Sequence, residues 1–254
     1  MVAPDLAGCG VVMVATRNHG YVVLGASCAA SIRRHVPGLE ITLFTNVRAI
    51  PPEYAGRFDH IVEIESPTRH PLEWANGLMD KIRGIRESPY DKSFFIDVDT
   101  VVRSAELASA FAMLDAHDLL ITECAEDASY SRRLIGRPLY STGILAWRRC
   151  DKAKQLFSAW TDFGLECLAA ARDGRLAELP DLAALSEDER TFLALTDQYT
   201  LARFLAPGVN AFDLDLELLE ERWNFRGDGK RPPPANLIVD HRMDVKQGKS
   251  LFSG

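Results

Sequence analysis

The sequence predicts an α/β fold: one domain, residues 1–254, built on a central, mostly parallel sheet flanked by helices. Three observations carry that expectation. Short apolar runs alternate with longer amphipathic ones along the chain. Several short runs lack polar alternation, as strands covered on both faces do. The chain has 254 residues and no internal repeat, which suits one large domain.

Eight strands are expected, at Val11–Ala15, Ile41–Thr45, Ile61–Ile64, Ser93–Ile96, Leu119–Thr122, Gly143–Trp147, Val209–Phe212 and Leu237–Val239. Between them, Tyr21 to His35 reads as a helix stopped by Pro37-Gly38. Leu78, Ile82 and Ile85 share one face of a second helix, with Lys81 and Arg83 expected at or near its start. Leu156, Trp160, Phe163 and Cys167 mark a third, ending near Gly174. A fourth is expected to run unbroken from Glu187 to Leu205 and stop at Pro207-Gly208. Alternation of this kind makes a sandwich of helices on a sheet. Arg231–Ala235 (RPPPA) is a stiff connector and Asp173–Asp181 an exposed turn, but apolar strands follow both, so neither divides the chain. Residues 242–254 form a short polar tail, expected to be mobile or to order on binding.

Composition excludes several classes. Acidic residues outnumber basic ones 36 to 29, for a net charge of −7. That balance argues against nucleic acid as a partner. The five cysteines are odd in number and form no CxxC, so neither a disulfide framework nor a zinc knuckle is expected. No apolar run approaches the roughly 18 residues of a transmembrane segment. The N-terminus lacks the basic start of a signal peptide. The expectation is a soluble, cytoplasmic protein.

The strongest chemical signal is SFFIDVDTVV, where an apolar strand runs into Asp97 and Asp99. In open α/β sheets, ligands bind at the carboxyl ends of strands. Two carboxylates placed there repel each other unless a cation lies between them. A divalent metal would neutralise both and offer a Lewis-acidic face to a phosphate. For both acids to reach one ion, the chain should turn at Asp99. A second apolar strand ends in Asp240-His241, and His241 would complete a mixed nitrogen and oxygen ligand set. Such a set suits Mn²⁺ better than Mg²⁺, although Mg²⁺ remains possible. Lys81 and Arg83, upstream of the DVD strand, and Lys246 and Lys249, after His241, could compensate a diphosphate.

No GxGxxG or GxxxxGK[ST] loop is present, which disfavours a dinucleotide-dependent dehydrogenase and a P-loop enzyme. Instead Ala15, Thr16 and Arg17 offer small and polar groups after the first strand, and Tyr21 offers a face on which a base can stack. In LYSTGILAW, Thr142 supplies a hydroxyl and Gly143 permits close approach to the backbone. In LTDQYTLARFL, Asp197 and Gln198 place an acid beside an amide on a helix face, a pairing that can bond sugar hydroxyls.

The ordered set of motifs, ATRNHGY, DKI, FFIDVDT, STGILAW, TDQYTLARFL, RWNFRG and IVDHRMDVK, resembles the GT-A fold nucleotide-sugar glycosyltransferases. It is most similar to the group of glycogenin and the bacterial lipopolysaccharide galactosyltransferases. The likeness spans residues 11 to 249. It implies a metal-dependent, hexosyl-type glycosyltransferase with a nucleoside-diphosphate sugar donor (UDP-sugar favoured), sugar transfer with retention, and an acceptor that is carbohydrate, lipid-linked, protein or small molecule. Asp97, Asp99 and His241 would hold Mn²⁺. Ala15, Thr16, Arg17 and Tyr21 would bind the nucleoside. Lys81, Val98 and Lys246 would contact the diphosphate side of the donor, and Thr142 and Gly143 its sugar. Asp197 and Gln198, with Lys81, would stand where bonds exchange. The sequence departs from the family at Arg17-Asn18-His19, at Ser141-Thr142 and in the closing HRMDVKQGK. Two alternatives are kept. One is a DxD phosphatase of the haloacid dehalogenase type, for which GDGK at 227–230 offers a superficial later motif. The other is a non-catalytic sugar-nucleotide-binding protein.

Overall fold

A computed structural model describes residues 6–66, 71–124, 134–136, 138–226 and 232–241. Seven strands form the main sheet: β1 (Cys9–Val14), β2 (Glu40–Thr45), β3 (His60–Glu63), β4 (Lys92–Ile96), β6 (Leu119–Glu123), β7 (Tyr140–Arg148) and β10 (Leu216–Leu219). Their order is β10-β6-β7-β4-β1-β2-β3. All pairings are parallel except the two made by β7, which runs antiparallel between β4 and β6. β5 (Thr100–Val102), β11 (Phe225–Arg226) and β12 (Val239–His241) form a second sheet in the order β11-β12-β5.

The sequence of β1, CGVVMV, carries no charged side chain and is buried on both faces. One core lies under the His19–His35 helix and contains Val11, Met13, Ile32, Phe94 and Ile96. The other lies under the Glu73–Arg86 and Asp151–Arg172 helices and contains Val12, Ile82, Phe95, Leu145 and Trp160. Alternate residues of β1 and β4 thus serve opposite cores, as the two-residue period of a strand requires. Asn18 caps the first helix, its side chain accepting from the Gly20 amide. No helix among the described residues is long and apolar enough to cross a membrane.

The expected elements are present with three corrections. The helix expected to be unbroken from Glu187 to Leu205 is two helices, Glu187–Ala194 and Asp197–Ala202. Thr196 breaks it by adopting extended backbone and accepting the Tyr199 amide on its own hydroxyl, a local bond that competes with helix continuation. The strand expected at Val209–Phe212 is reduced to Val209–Asn210, paired with Leu205–Ala206 outside the main sheet. The sheet edge is taken by β10 instead. Its alternation of leucine with acid fits an edge strand with one wet face, and Leu218 is half exposed. The second helix begins at Glu73, so Lys81 stands two turns inside it rather than at its start.

Candidate functional site

The strand order reverses between β1 and β4, since the chain leaves β1 toward β2 and β3 and returns to β4 on the other side. Ligands of open α/β sheets bind at such a switch point, beyond the carboxyl ends of the strands. A cavity of about 670 Å³ opens there. The structure brings Thr16, Arg17, Tyr21, Lys81, Asp97, Val98, Asp99, Asp197 and Gln198 onto its walls.

The metal-ligating candidates meet through backbone pairing. β4 stops at Ile96 and the chain turns over Asp97–Asp99, with the Thr100 hydroxyl donating to the Asp97 carbonyl at 2.7 Å. β5 then pairs antiparallel with β12, and the register sets His241 opposite Thr100. One ligand atom from each of Asp97, Asp99 and His241 lies within 4.8 Å of the others. His241 Nε2 is 3.3 Å from Asp99 Oδ1 and 3.9 Å from Asp97 Oδ2.

His241 is fully buried, and its other nitrogen, Nδ1, stands 3.1 Å from Asn224 Oδ1. Asn224 is oriented in turn: its Nδ2 donates to Ser141 Oγ at 2.7 Å and to Thr122 Oγ1 at 3.2 Å. With Nδ1–H donating to Asn224, the lone pair on Nε2 faces the carboxylates, and Nε2 has no hydrogen-bond partner. A buried lone pair beside two carboxylates is a repulsive arrangement that a cation relieves. The donor set therefore fits a divalent metal, with Asn224 playing the orienting part that metal-bound histidines require.

Gly143 makes this approach possible. A Cβ there would lie 2.9 Å from His241 Cε1 and 3.1 Å from Asp97 Oδ2. The space above the Gly143 backbone is thus filled by the candidate metal ligands. Its carbonyl also accepts the Asp97 amide at 2.9 Å.

Lys81 bridges two acids, with Nζ 2.9 Å from Asp97 Oδ1 and 2.7 Å from Asp197 Oδ2, and it lies 5.0 Å over the Phe95 ring. Burial would pull the Lys81 ammonium down, but Asp197 and Asp97 hold its pKa above the ordinary value. Burial would push Asp197 up, but Lys81, the Thr142 hydroxyl and Arg226 hold it below the usual carboxylate range. At neutral pH this is a fixed array of alternating charge.

Arg17 adopts the left-handed region at φ 70°. Its amide donates to Asn46 Oδ1 at 2.7 Å and its Nε to Asp80 Oδ2 at 3.1 Å, with the Ser66 hydroxyl beside its guanidinium. The cavity wall after β1 is therefore held by its own polar network. Ala15 lies beneath that wall: its amide donates to the Phe44 carbonyl and its carbonyl accepts from Thr45. Thr142 is buried beside Asp197. Arg83 turns away from the carboxylate pair and donates to the Glu65 carbonyl at 3.2 Å. Lys246, Lys249, the 242–254 tail and GDGK at 227–230 lie outside the described residues.

By sequence, no protein-family model and no curated protein matches the chain. Solved structures do. A crystal structure of the galactosyltransferase LgtC, in complex with donor and acceptor sugar analogues, aligns over 92% of this chain and 87% of its own, with a TM-score of 0.57 and 13% identity. A structure of the glycosyltransferase GlyE from Streptococcus pneumoniae TIGR4 aligns over 96% of this chain and 57% of its own, with a TM-score of 0.52 and 17% identity. The fold is GT-A. An active-site mutant of LgtC aligns likewise, with a TM-score of 0.50 and 13% identity.

In the GT-A frame the DxD pair ends the fourth strand, beside an antiparallel neighbour. A haloacid dehalogenase phosphatase would carry it on the first. Sequence reasoning gave no role to Asn224, Ser141 or Thr122, which set the imidazole. A polar residue between the buried aromatics Trp223 and Phe225 was the available signal. It also passed over Trp74 and Phe192, two exposed aromatics on the cavity wall.

Proposed function

We propose that this protein is a metal-dependent glycosyltransferase that moves a hexosyl group from a nucleoside-diphosphate sugar to a sugar-bearing acceptor. UDP is the favoured nucleotide and retention the favoured stereochemistry, both on the strength of the motif resemblance. The observation that carries the reading is the buried, unpartnered Nε2 of His241 aimed at Asp97 and Asp99.

Cleaving a sugar–phosphate bond develops negative charge on the diphosphate and positive charge at the anomeric carbon. A divalent ion held by Asp97, Asp99 and His241 supplies Lewis-acid charge for the leaving group. Lys81 adds a second positive charge, fixed before substrate arrives by its bonds to Asp97 and Asp197. Preorganised charge of this kind costs no rearrangement during reaction and is usually the largest catalytic contribution. Asp197, kept ionised by Lys81, offers a carboxylate to sugar hydroxyls and to the cationic anomeric centre. Gln198 supplies an amide that donates and accepts on the same wall. With retention, the leaving diphosphate oxygen takes the acceptor proton as the new glycosidic bond forms on the same face. The wall from Thr16 to Tyr21 gives the nucleoside polar groups and an aromatic face.

The test is hydrolysis and transfer from a panel of nucleotide sugars, with and without Mn²⁺. Metal-dependent release of UDP that Asp97→Asn abolishes is the expected result. Release of free phosphate from phosphomonoesters, with nucleotide sugars untouched, would replace this reading with a phosphatase.

A further inference from the structure

Trp74 and Phe192 are 44% and 50% exposed, and both line the cavity that holds Lys81 and Asp197. Their ring centroids are 6.4 Å apart at an interplanar angle of 41°. Two aromatic faces left side by side in water at the mouth of one cavity favour a ligand that covers them.

Their position says which ligand. Trp74, Gly77 and Lys81 lie along one helix face at spacings that keep them in line. Seven residues of helix place Trp74 about 10 Å from Lys81 along the axis. With the diphosphate end of the donor at Lys81, that is the reach of two successive hexose rings, so Trp74 meets the second of them.

Gly77 lies between. A Cβ there would meet nothing within 4 Å. Packing does not ask for this glycine, in contrast to Gly84 on the same helix, whose Cβ would lie 2.4 Å from Val14 Cγ2. A mid-helix glycine costs about 1 kcal/mol relative to alanine. What it leaves is an open notch in the cavity floor.

We propose that Trp74, Gly77 and Phe192 form the acceptor subsite and that the acceptor presents a pyranoside ring. The proposal rests on the glycosyltransferase reading above. A pyranoside has an apolar C–H face and a hydroxyl rim. Trp74 and Phe192 match the face, and Thr196 and Gln198 on the same wall match the rim. An alkyl chain would use the aromatics and leave the polar groups without partners.

The protein carries its own reporter, because Trp147, Trp160 and Trp223 are all buried and Trp74 alone of the four tryptophans is exposed. Full-length protein saturated with Mn²⁺ and UDP is titrated with methyl β-glucopyranoside, cellobiose, lactose and maltose. Sorbitol serves as a ringless polyol and octanol as an alkyl probe. At least one saccharide should change the exposed tryptophan emission saturably, with no response to sorbitol. Gly77→Leu, which fills the notch and favours the helix, should weaken that saccharide at least tenfold without lowering the melting temperature. If no saccharide responds, if octanol alone does, or if Gly77→Leu leaves saccharide affinity unchanged, the proposal is overturned. If the wild-type protein fails to bind UDP with Mn²⁺, the glycosyltransferase reading fails first and this subsite falls with it.

Discussion

Replacing Asn224 with leucine removes the acceptor for His241 Nδ1–H while keeping side-chain volume. In the folded protein that bond spans 3.1 Å between two buried groups. A buried donor left without a partner costs about 1–3 kcal/mol. The imidazole can recover part of this by moving its proton to Nε2, where Asp99 Oδ1 lies 3.3 Å away. That tautomer cannot ligate, so metal must then bind against the recovered energy. Loss of an outer partner of a metal-bound histidine typically costs ten- to a hundredfold in affinity, or about 1.4–2.7 kcal/mol. Mn²⁺ binding to Asn224→Leu, followed by the loss of the free-ion resonance, should weaken by that factor. Thermal unfolding in the absence of metal separates the two consequences, since about 2 kcal/mol corresponds to a drop of about 6 °C for a chain of this size. Unchanged Mn²⁺ affinity alongside such a drop would show that Asn224 only packs, and the orienting argument would be wrong.

The remaining expectations concern neighbouring features. Gly143→Ala places a methyl group 2.9 Å from His241 Cε1, so it should weaken Mn²⁺ at least tenfold while the far-ultraviolet dichroism stays native; undiminished affinity would mean that the imidazole has room to move. Asp118 is buried, which would raise its pKa, but the Asp215 amide at 2.9 Å and Arg148 at 2.7 Å hold it below the usual carboxylate range. A depressed carboxylate stabilises the fold above its unfolded pKa, and that contribution is lost as pH falls through the folded value. The melting temperature of Asp118→Asn should therefore be lower than wild type at pH 7, with the gap narrowing toward pH 3; a constant gap would refute the linkage. Burial pushes the Cys28 and Cys167 thiols up to about 12, whereas Cys150 is partly exposed. A thiol reagent at pH 8 should label Cys150 first, and rapid labelling of Cys28 would mean that its core opens.

Much of this site was legible because the residues stand where strands end. Asp97 and Asp99 follow an apolar run directly, and the turn needed to converge them is the one observed. His241 follows another such run, and the β5–β12 register, invisible in the sequence, is what joins the two. Lys81 was legible as a cation near the acids, but its place between Asp97 and Asp197 depends on a helix starting at Glu73 in a stretch without a capping side chain. The break at Thr196 was missed because hydrophobic periodicity continues across it, while a single side-chain bond decides the local geometry. β10 was missed because a search for continuous apolar runs passes over the leucine–acid alternation of an edge. Asn224, Ser141 and Thr122 act through hydrogen bonds among segments far apart in sequence, and neither spacing nor periodicity records such bonds.

The central claim is that Asp97, Asp99 and His241 hold an ion that a nucleoside diphosphate requires. The most direct measurement is UDP binding to metal-free protein by calorimetry as Mn²⁺ is added, repeated with His241→Gln in a preparation shown to be folded. The account predicts no UDP binding with chelator present, saturable binding once Mn²⁺ is supplied, and loss of that gain in His241→Gln. Equal UDP affinity with and without Mn²⁺, or a His241→Gln variant that responds to Mn²⁺ as the wild type does, would contradict it.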